Sequence, residues 1–415
     1  MSVDLPSRTR AAARVGAAIS SVSRRLGRGS GSVIGGRAVL AIDPNALTRL
    51  AAGRRLAVVS GTNGKTTTTS LLRSALLTRG PVVTNVLGAN LPSGLAAALA
   101  AAPVEAATAA LEVDEAYLGE VIEATQAGVA VLLNLSRDQL DRNNEVRVLA
   151  GRWRAIWASA PRTHVVANAD DPLVVWAAMA SSSLTWVGAG QPWTADAAAC
   201  PQCGQWVRFV AGDWACSTCE LRRPPLDLAV EDGSLVSPEG GRLPLCLSLP
   251  GRANRANAAM AAAAAQRFGV SLPEAVTAMA ATAEVAGRYR TITIGIRTRA
   301  RLLLAKNPAG WLEVFDLLSP PPTPLVIAIN ARVADGKDPS WLWDVPFERL
   351  RDRVVVATGE RSRDLAVRLH YAGVEHRHEP DPLLAIASVA SAGANQVEVV
   401  ANYTAFQAIS RLADG

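Results

Sequence analysis

Short apolar runs alternate with helical patterns along the first half of the chain. The run 56–59 ends in a glycine-rich turn, and leucines at helical spacing follow it, which predicts a strand, a loop and a helix. Further runs with strand character lie at 81–84, 109–113, 129–134 and 163–168. Because helical stretches separate them, the pattern predicts a parallel α/β sheet.

The pattern changes twice further along the chain. Cysteines, prolines and tryptophans interrupt it over 188–226, and an alanine-rich helix is predicted over 255–268. A second α/β alternation then begins, with strand candidates at 302–305, 324–330, 353–357 and 396–400. We therefore predict a basic helical segment over 1–50, a central domain over 51–296 with an insertion at about 196–226, and a smaller α/β domain over 297–415.

Composition and charge exclude some classes of protein. Hydrophobic residues make up 49% and charged residues 19% of the chain, which favours a globular fold, and the longest apolar run, 95–104, is too short to span a bilayer. The net charge of +6 comes from residues 1–37, because the remainder has 35 basic and 35 acidic residues. No predicted domain has the basic field of a nucleic-acid-binding protein, so we expect no nucleic-acid partner.

The basic N-terminal segment also has a helical apolar pattern. Val15, Ile19, Val22 and Leu26 recur at helical spacing between arginines. Two interpretations stay open: a terminal helix packed on its own protein, or a basic amphipathic helix in peripheral contact with an anionic membrane through residues 1–37. The composition also fits a transit peptide, but the apolar region of a secretory signal is absent, and we expect a cytoplasmic protein.

Lysine is rare in this chain. Of the 42 basic residues 39 are arginine, and the lysines are Lys65, Lys306 and Lys337. Arginine can replace a lysine that serves only as surface charge, but not one that must act as a compact point charge. These lysines are therefore candidate site residues, with chance survival as the alternative for each.

The turn after the first strand has the pattern of a phosphate-binding loop. Its sequence is Gly61-Thr62-Asn63-Gly64-Lys65-Thr66-Thr67. In such a loop the backbone N–H groups and the helix N-terminus surround a phosphate, with the lysine on the terminal phosphates and the next hydroxyl placed for magnesium. Val59 stands where the full eight-residue pattern has its first glycine. The sequence predicts a nucleoside triphosphate site.

The loop resembles that of the Mur ligase superfamily, which joins carboxylates to amines through acyl phosphates. Other segments resemble this superfamily in the same order. They are the acidic segment 111–115 with Glu112 as magnesium ligand, a polar segment with Asn134, Arg137, Asp138 and Asp141, an adenine-side motif 251–257 with Asn257, and Gly287-Arg288 with a phosphate-contacting arginine. The resemblance implies ATP, Mg²⁺ and a carboxylate substrate, with Lys65, Thr66, Glu112 and Arg288 in the phosphate and metal roles.

The chain departs from ordinary Mur ligases at three points. The loop begins about 60 residues into the sequence, so we expect no preceding nucleotide-sugar domain. No lysine lies between Lys65 and Lys306, so the carbamylated lysine of the family has no counterpart. Gln139 stands where a metal-binding histidine is expected. A second magnesium site is therefore in doubt.

Four cysteines predict a structural metal site inside the central domain. Cys200 and Cys203 form one Cys-X2-Cys pair, and Cys216 and Cys219 form another twelve residues later. This is the spacing of a zinc ribbon, in which four thiolates hold a tetrahedral ion and leave no open position for catalysis. Disulfides and a redox dithiol are the alternatives, and the first is disfavoured in a cytoplasmic protein. Cys246 is predicted to lie in the core.

The zinc ribbon in a Mur-type ATPase, the absent nucleotide-sugar domain and the segments around Lys306 and Lys337 together resemble the MurT family. That resemblance implies a Mur ligase-type central P-loop domain followed by a Rossmann-like C-terminal domain. It also implies a glutaminase partner, GatD, whose ammonia amidates the D-glutamate α-carboxyl of lipid II. By similarity, Asp338 would orient the partner's catalytic histidine, with Asp335 and Asp344 as alternatives.

Other functions stay open at this point. A Mur ligase resembling folylpolyglutamate synthetases would add a free amino acid instead of ammonia. A nucleic-acid-binding ATPase would combine the loop with the zinc ribbon, and a non-enzymatic scaffold would not need Lys65. The chain does fit an enzyme that lacks its own glutaminase, because its four histidines form no evident dyad with Cys246.

Overall fold

The computed structural model describes residues 5–25, 31–85, 88–103, 105–137, 146–188, 190, 193–282, 289–294, 298–391 and 394–412. The chain divides into two compact units. The first comprises Met1–Ser136 and Glu145–Ala283, and the second comprises Arg137–Asn144 and Glu284–Gly415. The predicted site residues Asp138, Gln139, Asp141, Gly287 and Arg288 lie outside the described residues. No helix in the described ranges is both long and apolar enough to cross a membrane.

A nine-stranded sheet forms the centre of the first unit, in the order β11-β10-β9-β6-β5-β4-β1-β3-β2. Its neighbouring strands from β2 to β9 pair in parallel, and β9, β10 and β11 form an antiparallel edge. The strands are β1 Arg55–Ser60, β2 Val82–Val83, β3 Thr108–Glu112, β4 Val129–Leu132, β5 His164–Asn168, β6 Leu184–Gly188, β9 Leu228–Glu231, β10 Ser234–Val236 and β11 Arg242–Pro244, with β7 Val207–Val210 and β8 Asp213–Cys216 in a separate hairpin. The prediction of a parallel α/β sheet is confirmed.

Ten helices surround this sheet among the described residues. They are α1 Ser7–Arg25, α2 Ser32–Ile42, α3 Ala46–Ala51, α4 Lys65–Leu76, α5 Pro92–Ala100, α6 Leu118–Thr125, α7 Val146–Ser159, α8 Pro172–Ala178, α9 Arg252–Gln266 and α10 Leu272–Ala280. The alanine-rich α9 begins and ends a few residues before its predicted bounds. Its small side chains let it pack closely on α4 and on the central strands.

The N-terminal helix α1 packs on α2 through small residues. Its buried positions are Thr9, Ala12, Gly16, Ser20 and Ser23. A Cβ atom at Gly16 would lie 2.5 Å from Val39 Cγ2, so the two helices approach too closely there for a larger residue. The helix therefore packs on its own protein. Of the apolar positions that the sequence pattern suggested, Val15 and Val22 are exposed, Ile19 is half-buried, and Leu26 lies outside the described residues.

The second unit contains a six-stranded sheet in the order β12-β13-β17-β14-β15-β16. Only the β12–β13 pair is antiparallel among these described strands. The elements are β12 Tyr289–Ile294, β13 Thr298–Leu304, α11 Pro308–Phe315, β14 Leu325–Ala328, β15 Val355–Thr358, α12 Ser362–Tyr371, β16 His376–His378, α13 Pro382–Ser391, β17 Gln396–Ala401 and α14 Tyr403–Leu412. Two separate apolar clusters lie against this sheet, and helices cover both of its faces and bury them. The Rossmann-like α/β architecture is confirmed.

Candidate nucleotide and metal sites

The phosphate-binding loop joins the end of β1 to the start of α4. Gly61 and Gly64 both adopt positive φ angles, of 142° and 85°. A Cβ atom at Gly64 would lie 2.5 Å from the side-chain oxygen of Asn257, so this position requires glycine for space as well as for conformation. Helix α4 begins at Lys65, directly after this turn, and the N–H groups of its first turn together with the helix dipole favour an anion there.

The end of β4 holds the loop in place. Asn134 Oδ1 accepts the N–H of Asn63 at 2.9 Å, and Asn134 Nδ2 donates to the Asn63 carbonyl at 3.1 Å. The Thr62 hydroxyl accepts the N–H of Ser136 at 3.0 Å and donates to its carbonyl at 3.1 Å. Asn134 was among the predicted polar residues, whereas Thr62 and Ser136 had no sequence signal for this role. These bonds fix the loop backbone in a phosphate-binding shape.

Lys65 is buried and paired. Its ammonium donates to the carbonyl oxygen of Gly61 at 2.6 Å and lies 2.9 Å from Glu115 Oε2. The Lys65 and Glu115 side chains are 11% and 12% exposed, so the charge pair is largely withdrawn from solvent. Sequence reasoning identified the lysine but not its acidic partner, which lies three residues beyond the predicted magnesium ligand.

Thr66 and Glu112 meet at the same end of the sheet. The Thr66 hydroxyl donates to Glu112 Oε2 at 2.8 Å, and the glutamate is 7% exposed. Asn85 fixes the glutamate backbone by accepting its N–H at 2.8 Å and donating to its carbonyl at 2.9 Å. Asn90 Nδ2 lies 3.4 Å from the other carboxylate oxygen. Because β3 pairs with β1, Glu112 lies opposite Val59, near the end of β1 from which the loop leads to α4.

These residues fit magnesium and a nucleotide phosphate. A hydroxyl and a carboxylate side by side are hard oxygen ligands of the kind that Mg²⁺ combines with phosphate oxygens. Thr66 and Glu112 would hold the ion, and Lys65 would neutralise phosphate charge. Asn257 lies directly beside the loop at Gly64. Its assignment to the adenine stays a prediction, as does the phosphate contact of Arg288.

The four predicted cysteine ligands come together beside the β7–β8 hairpin. Their sulfur atoms all lie within 4.8 Å of one another, with Cys200 and Cys219 at 3.6 Å and Cys203 and Cys216 at 3.4 Å. A tetrahedral Zn²⁺ with Zn–S bonds of about 2.3 Å places its sulfurs roughly 3.8 Å apart. A disulfide would need about 2.05 Å. The geometry fits a four-thiolate metal site and excludes disulfide pairing in this structure.

Backbone hydrogen bonds prepare one of these thiols for a metal. The N–H groups of Cys219 and Thr218 both point at Cys216 Sγ, each at 3.4 Å, and they lower the pKa of that thiol to about 6. The thiolate is the ligand form, so the knuckle backbone favours it. Cys246, in contrast, is exposed, so the prediction that it lies in the core is wrong.

The three aspartates considered for partner contact have different environments. Asp335 is buried and accepts hydrogen bonds from the Thr404 N–H at 2.8 Å and from the Thr404 hydroxyl, so it anchors the start of α14. Asp344 lies 3.5 Å from Arg137 within the second unit. Asp338 is exposed, with Oδ1 accepting the N–H of Ser340 at 2.9 Å. Asp338 and Asp344 are thus both exposed and Asp335 is not, and the choice of Asp338 as the partner-contacting residue stays a prediction.

The other two lysines lie in the second unit. Lys337 is exposed beside Asp338, whereas Lys306 lies with its ammonium 5.8 Å from the centre of the Tyr403 ring. A cation over an aromatic face is a packing interaction that arginine could also make. The structure therefore supplies a packing role for Lys306.

Comparisons with known proteins agree on the domain types. A family model described as Mur ligase middle domain matches residues 59–265, and one described as MurT ligase C-terminal matches residues 304–406. The chain is 30% identical over 380 residues to the MurT subunit of the glutamine-hydrolyzing lipid II isoglutaminyl synthase of Streptococcus pneumoniae, covering 85% of this chain and 84% of that protein. The corresponding subunit from Staphylococcus aureus N315 is 27% identical over 388 residues, covering 85% of each chain.

Solved structures share the fold at lower identity. A pseudomurein peptide ligase type C from Methanothermus fervidus aligns with a TM-score of 0.65 at 17% identity, over 84% of this chain and 76% of that one. MurF from Acinetobacter baumannii aligns with a TM-score of 0.64 at 16% identity, over 92% and 81%. The folylpolyglutamate synthase of Mycobacterium tuberculosis aligns with a TM-score of 0.59 at 17% identity, over 89% and 93%. The family models match both units, and the hydrogen-bonded loop before Lys65 lies within the matched region. The chain therefore belongs to the MurT family of Mur-type ligases.

Proposed function

We propose that this chain is the synthetase subunit of a glutamine-dependent amidotransferase that converts the α-carboxyl of the D-glutamyl residue of lipid II to an amide. One observation carries the proposal: a Mur ligase phosphate site is followed, in the same chain, by a unit that matches the MurT C-terminal model. The two MurT relatives named above belong to glutamine-hydrolysing lipid II isoglutaminyl synthases. The amidation would take place in the cytoplasm, at the inner face of the plasma membrane.

The loop and its neighbours bind ATP and position its terminal phosphate. The N–H groups of residues 61–67 surround the phosphates. The Lys65 ammonium, which contacts Glu115 in this structure, turns to contact the phosphates. Thr66 and Glu112 would hold magnesium through the oxygen atoms that share a hydrogen bond in this structure. ATP with magnesium supplies an electrophilic phosphoryl group. The resemblance to Mur ligases implies that Arg288 offsets negative charge on the transferring phosphate.

The reaction then has two steps that balance without a further reactant. A carboxylate oxygen of D-glutamate bonds to the terminal phosphorus of ATP, and the bond to ADP breaks, which leaves an acyl phosphate. Ammonia then attacks the acyl carbon, the bond from that carbon to the phosphate oxygen breaks, and the proton that nitrogen loses is taken up by the departing phosphate as the amide forms. Lys65 stabilises the negative charge that is redistributed among the phosphate oxygens in the first step.

A glutaminase subunit of the GatD type supplies the ammonia in this proposal. Asp338 reaches the partner's catalytic histidine and orients it, which its exposed carboxylate permits. Val333 and Trp343 flank this aspartate in sequence and are 75% and 55% exposed, so the same segment offers apolar surface to a partner. The four-cysteine cluster binds structural zinc and takes no part in catalysis.

A second function is supported by one specific observation. The fold also matches a folylpolyglutamate synthase over 89% of this chain, so a ligase that adds a free amino acid is the alternative. The two functions differ in the amine that attacks the acyl phosphate. They therefore predict different products from the same carboxylate.

Product mass distinguishes these functions. The purified chain is incubated with ATP, magnesium and lipid II, with and without the glutaminase and glutamine, and the lipid-linked product is weighed. Conversion of a carboxyl to an amide lowers the mass by about one unit, and this is the expected result. Growth by one amino-acid residue, in the absence of the glutaminase, would replace the proposal by the ligase.

A further inference from the structure

The N-terminal helix α1 presents an apolar strip to solvent. Its buried face consists of small residues, and the opposite side has Ala11, Val15, Ala18 and Val22 at spacings of four, three and four residues. This spacing places them in one line along a helix. Val15 is 42% and Val22 55% exposed, and the two alanines are exposed as well. We refer to these four residues as the outer strip.

Exposed arginines lie beside the outer strip along α1. Arg14 and Arg25 are exposed and project from the centre of the outward-facing side of α1. Over the described residues 5–25 and 31–42, which include α1 and α2, six arginines are exposed and no acidic residue occurs: Arg8, Arg10, Arg14, Arg24, Arg25 and Arg37. The next acidic residue, Asp43, is buried and paired with Arg49 at 2.9 Å. The described surface of α1 and α2 is therefore rich in arginine.

We infer that the outer face of α1 is a docking surface for an anionic lipid bilayer. A line of aliphatic side chains beside arginines is the pattern of a helix that lies in the plane of the headgroups, with its apolar strip in the acyl boundary. The helix does not qualify as a membrane span. Nucleic acid is a poorer match, because α1 contains no aromatic residue on which bases could stack.

The packing of α1 supports this assignment. A helix that needed its valines for folding would bury them, but here glycine, alanine, serine and threonine make the internal contact. The Thr9 hydroxyl also donates to Asp43 Oδ2 at 2.6 Å, which fixes the helix on the first unit. The outer strip is thus held rigidly outward, and docking needs no unfolding of α1. This inference goes beyond the proposed reaction, since lipid binding can be measured without turnover.

Vesicle sedimentation of the full chain tests the inference. Vesicles of equal parts phosphatidylcholine and phosphatidylglycerol are compared with vesicles of phosphatidylcholine alone. We expect binding to the anionic vesicles only, weakened by salt. Each arginine near such a surface contributes roughly a fivefold gain in partitioning, so Arg14→Gln with Arg25→Gln should lower binding roughly thirtyfold. Val15→Ser with Val22→Ser should lower it as well, although the charge is unchanged.

Matched controls separate docking from general charge and from stability. Arg152→Gln with Arg162→Gln makes the same charge change at exposed positions elsewhere on the first unit, and binding should be retained. Because all altered side chains are exposed, thermal unfolding should be unchanged. Equal loss in the control, binding unaffected by the α1 variants, or retention of short RNA in place of anionic vesicles would each overturn the inference. Amidation of a water-soluble short-chain lipid II analogue reports on the proposed function separately.

Discussion

The Thr66 hydroxyl donates a hydrogen bond to Glu112 Oε2 at 2.8 Å, while Glu115, three residues further on, pairs with the Lys65 ammonium at 2.9 Å. Two carboxylates of one short segment thus contact two adjacent residues of the phosphate loop. One contacts the hydroxyl that we propose binds magnesium, and the other contacts the cation that we propose binds phosphate. Their roles can be separated by substitution because each change removes the same charge.

Glu112→Gln should weaken magnesium binding. The amide keeps the shape of the side chain but loses the negative charge that attracts the ion. We expect the Mg²⁺ concentration for half-maximal ATP turnover to rise on the order of tenfold to a hundredfold. Glu115→Gln is the matched control, and its magnesium dependence should stay close to that of the parent chain. A similar shift in both variants would show that Glu112 has no specific role at the metal.

Lys65→Ala should abolish ATP-dependent amidation. Loss of the cation removes charge stabilisation of the transferring phosphate, which costs at least on the order of a hundredfold in kcat. Lys65→Arg should also be impaired, because the planar guanidinium is larger than the buried site that holds the ammonium. Arg73→Ala, at an exposed position on the same helix, serves as the control. Full activity of Lys65→Ala would support a non-enzymatic role.

Asp338→Asn should uncouple the two halves of the reaction. If the carboxylate orients the partner's histidine, glutamine-dependent amidation should fall on the order of a thousandfold or more. Amidation with an ammonium salt should persist, because the site around Lys65 is unaltered. Both activities are measured on the assembled complex. Loss of both would point instead to a defect in assembly or folding.

Asp335→Asn should act on stability. Its buried carboxylate accepts two hydrogen bonds from Thr404, and an amide can satisfy both less well. The free energy of unfolding of the second unit should fall by about 1–3 kcal/mol. Thermal unfolding measures the change, with Asp344→Asn, at a half-exposed carboxylate, as the comparison. An unchanged melting temperature for Asp335→Asn would contradict the anchoring role.

The cysteine cluster should contain one zinc ion per chain. Cys216→Ser removes the thiol that receives two backbone N–H groups, so metal content should fall towards zero. A strong chelator should destabilise the parent chain by a few kcal/mol and leave Cys216→Ser unaffected. Cys246→Ser removes an exposed thiol outside the cluster and should retain zinc. Elemental analysis decides the outcome, and a zinc-free, equally stable parent chain would reject the site.

Asp171 should make stability depend on pH. Burial raises its pKa to about 6, although its carboxylate accepts the N–H groups of Leu135, Leu173 and Val174. The folded chain therefore holds this proton more tightly than the unfolded chain, where the pKa is 3.8. The resulting stabilisation is complete below about pH 4 and lost as pH rises through about 6, a change of about 3 kcal/mol.

Asp171→Asn cannot titrate, so it isolates this effect. The stability advantage of the parent chain over the variant should be largest near pH 4 and should shrink by about 3 kcal/mol towards pH 7. Denaturant unfolding at a series of pH values measures the difference. A constant difference would mean that Asp171 keeps an ordinary pKa in the folded protein.

Local patterns in the sequence were enough to predict several elements of the fold. Apolar runs 56–59, 109–113 and 163–168 became β1, β3 and β5, because buried parallel strands are continuous apolar segments. The sequence also predicted the phosphate-binding loop and the four-cysteine metal site, since the chemistry of each depends on residues that are close together in the chain. Lys65, Thr66, Glu112 and the four cysteines needed no structure to be proposed.

Other features depend on residues that are distant in the sequence and meet through folding. Pairing of β1 with β3 and β4 brings Glu115 to Lys65 and Ser136 to Thr62, which are far apart in sequence and have no local signature. The face by which α1 packs was decided in the same way. Helical periodicity selected the valines, but close approach to α2 requires small residues, so Gly16 lies inside and Val15 outside. Periodicity shows which residues share a face, whereas the shape of the neighbouring surface decides which face is buried.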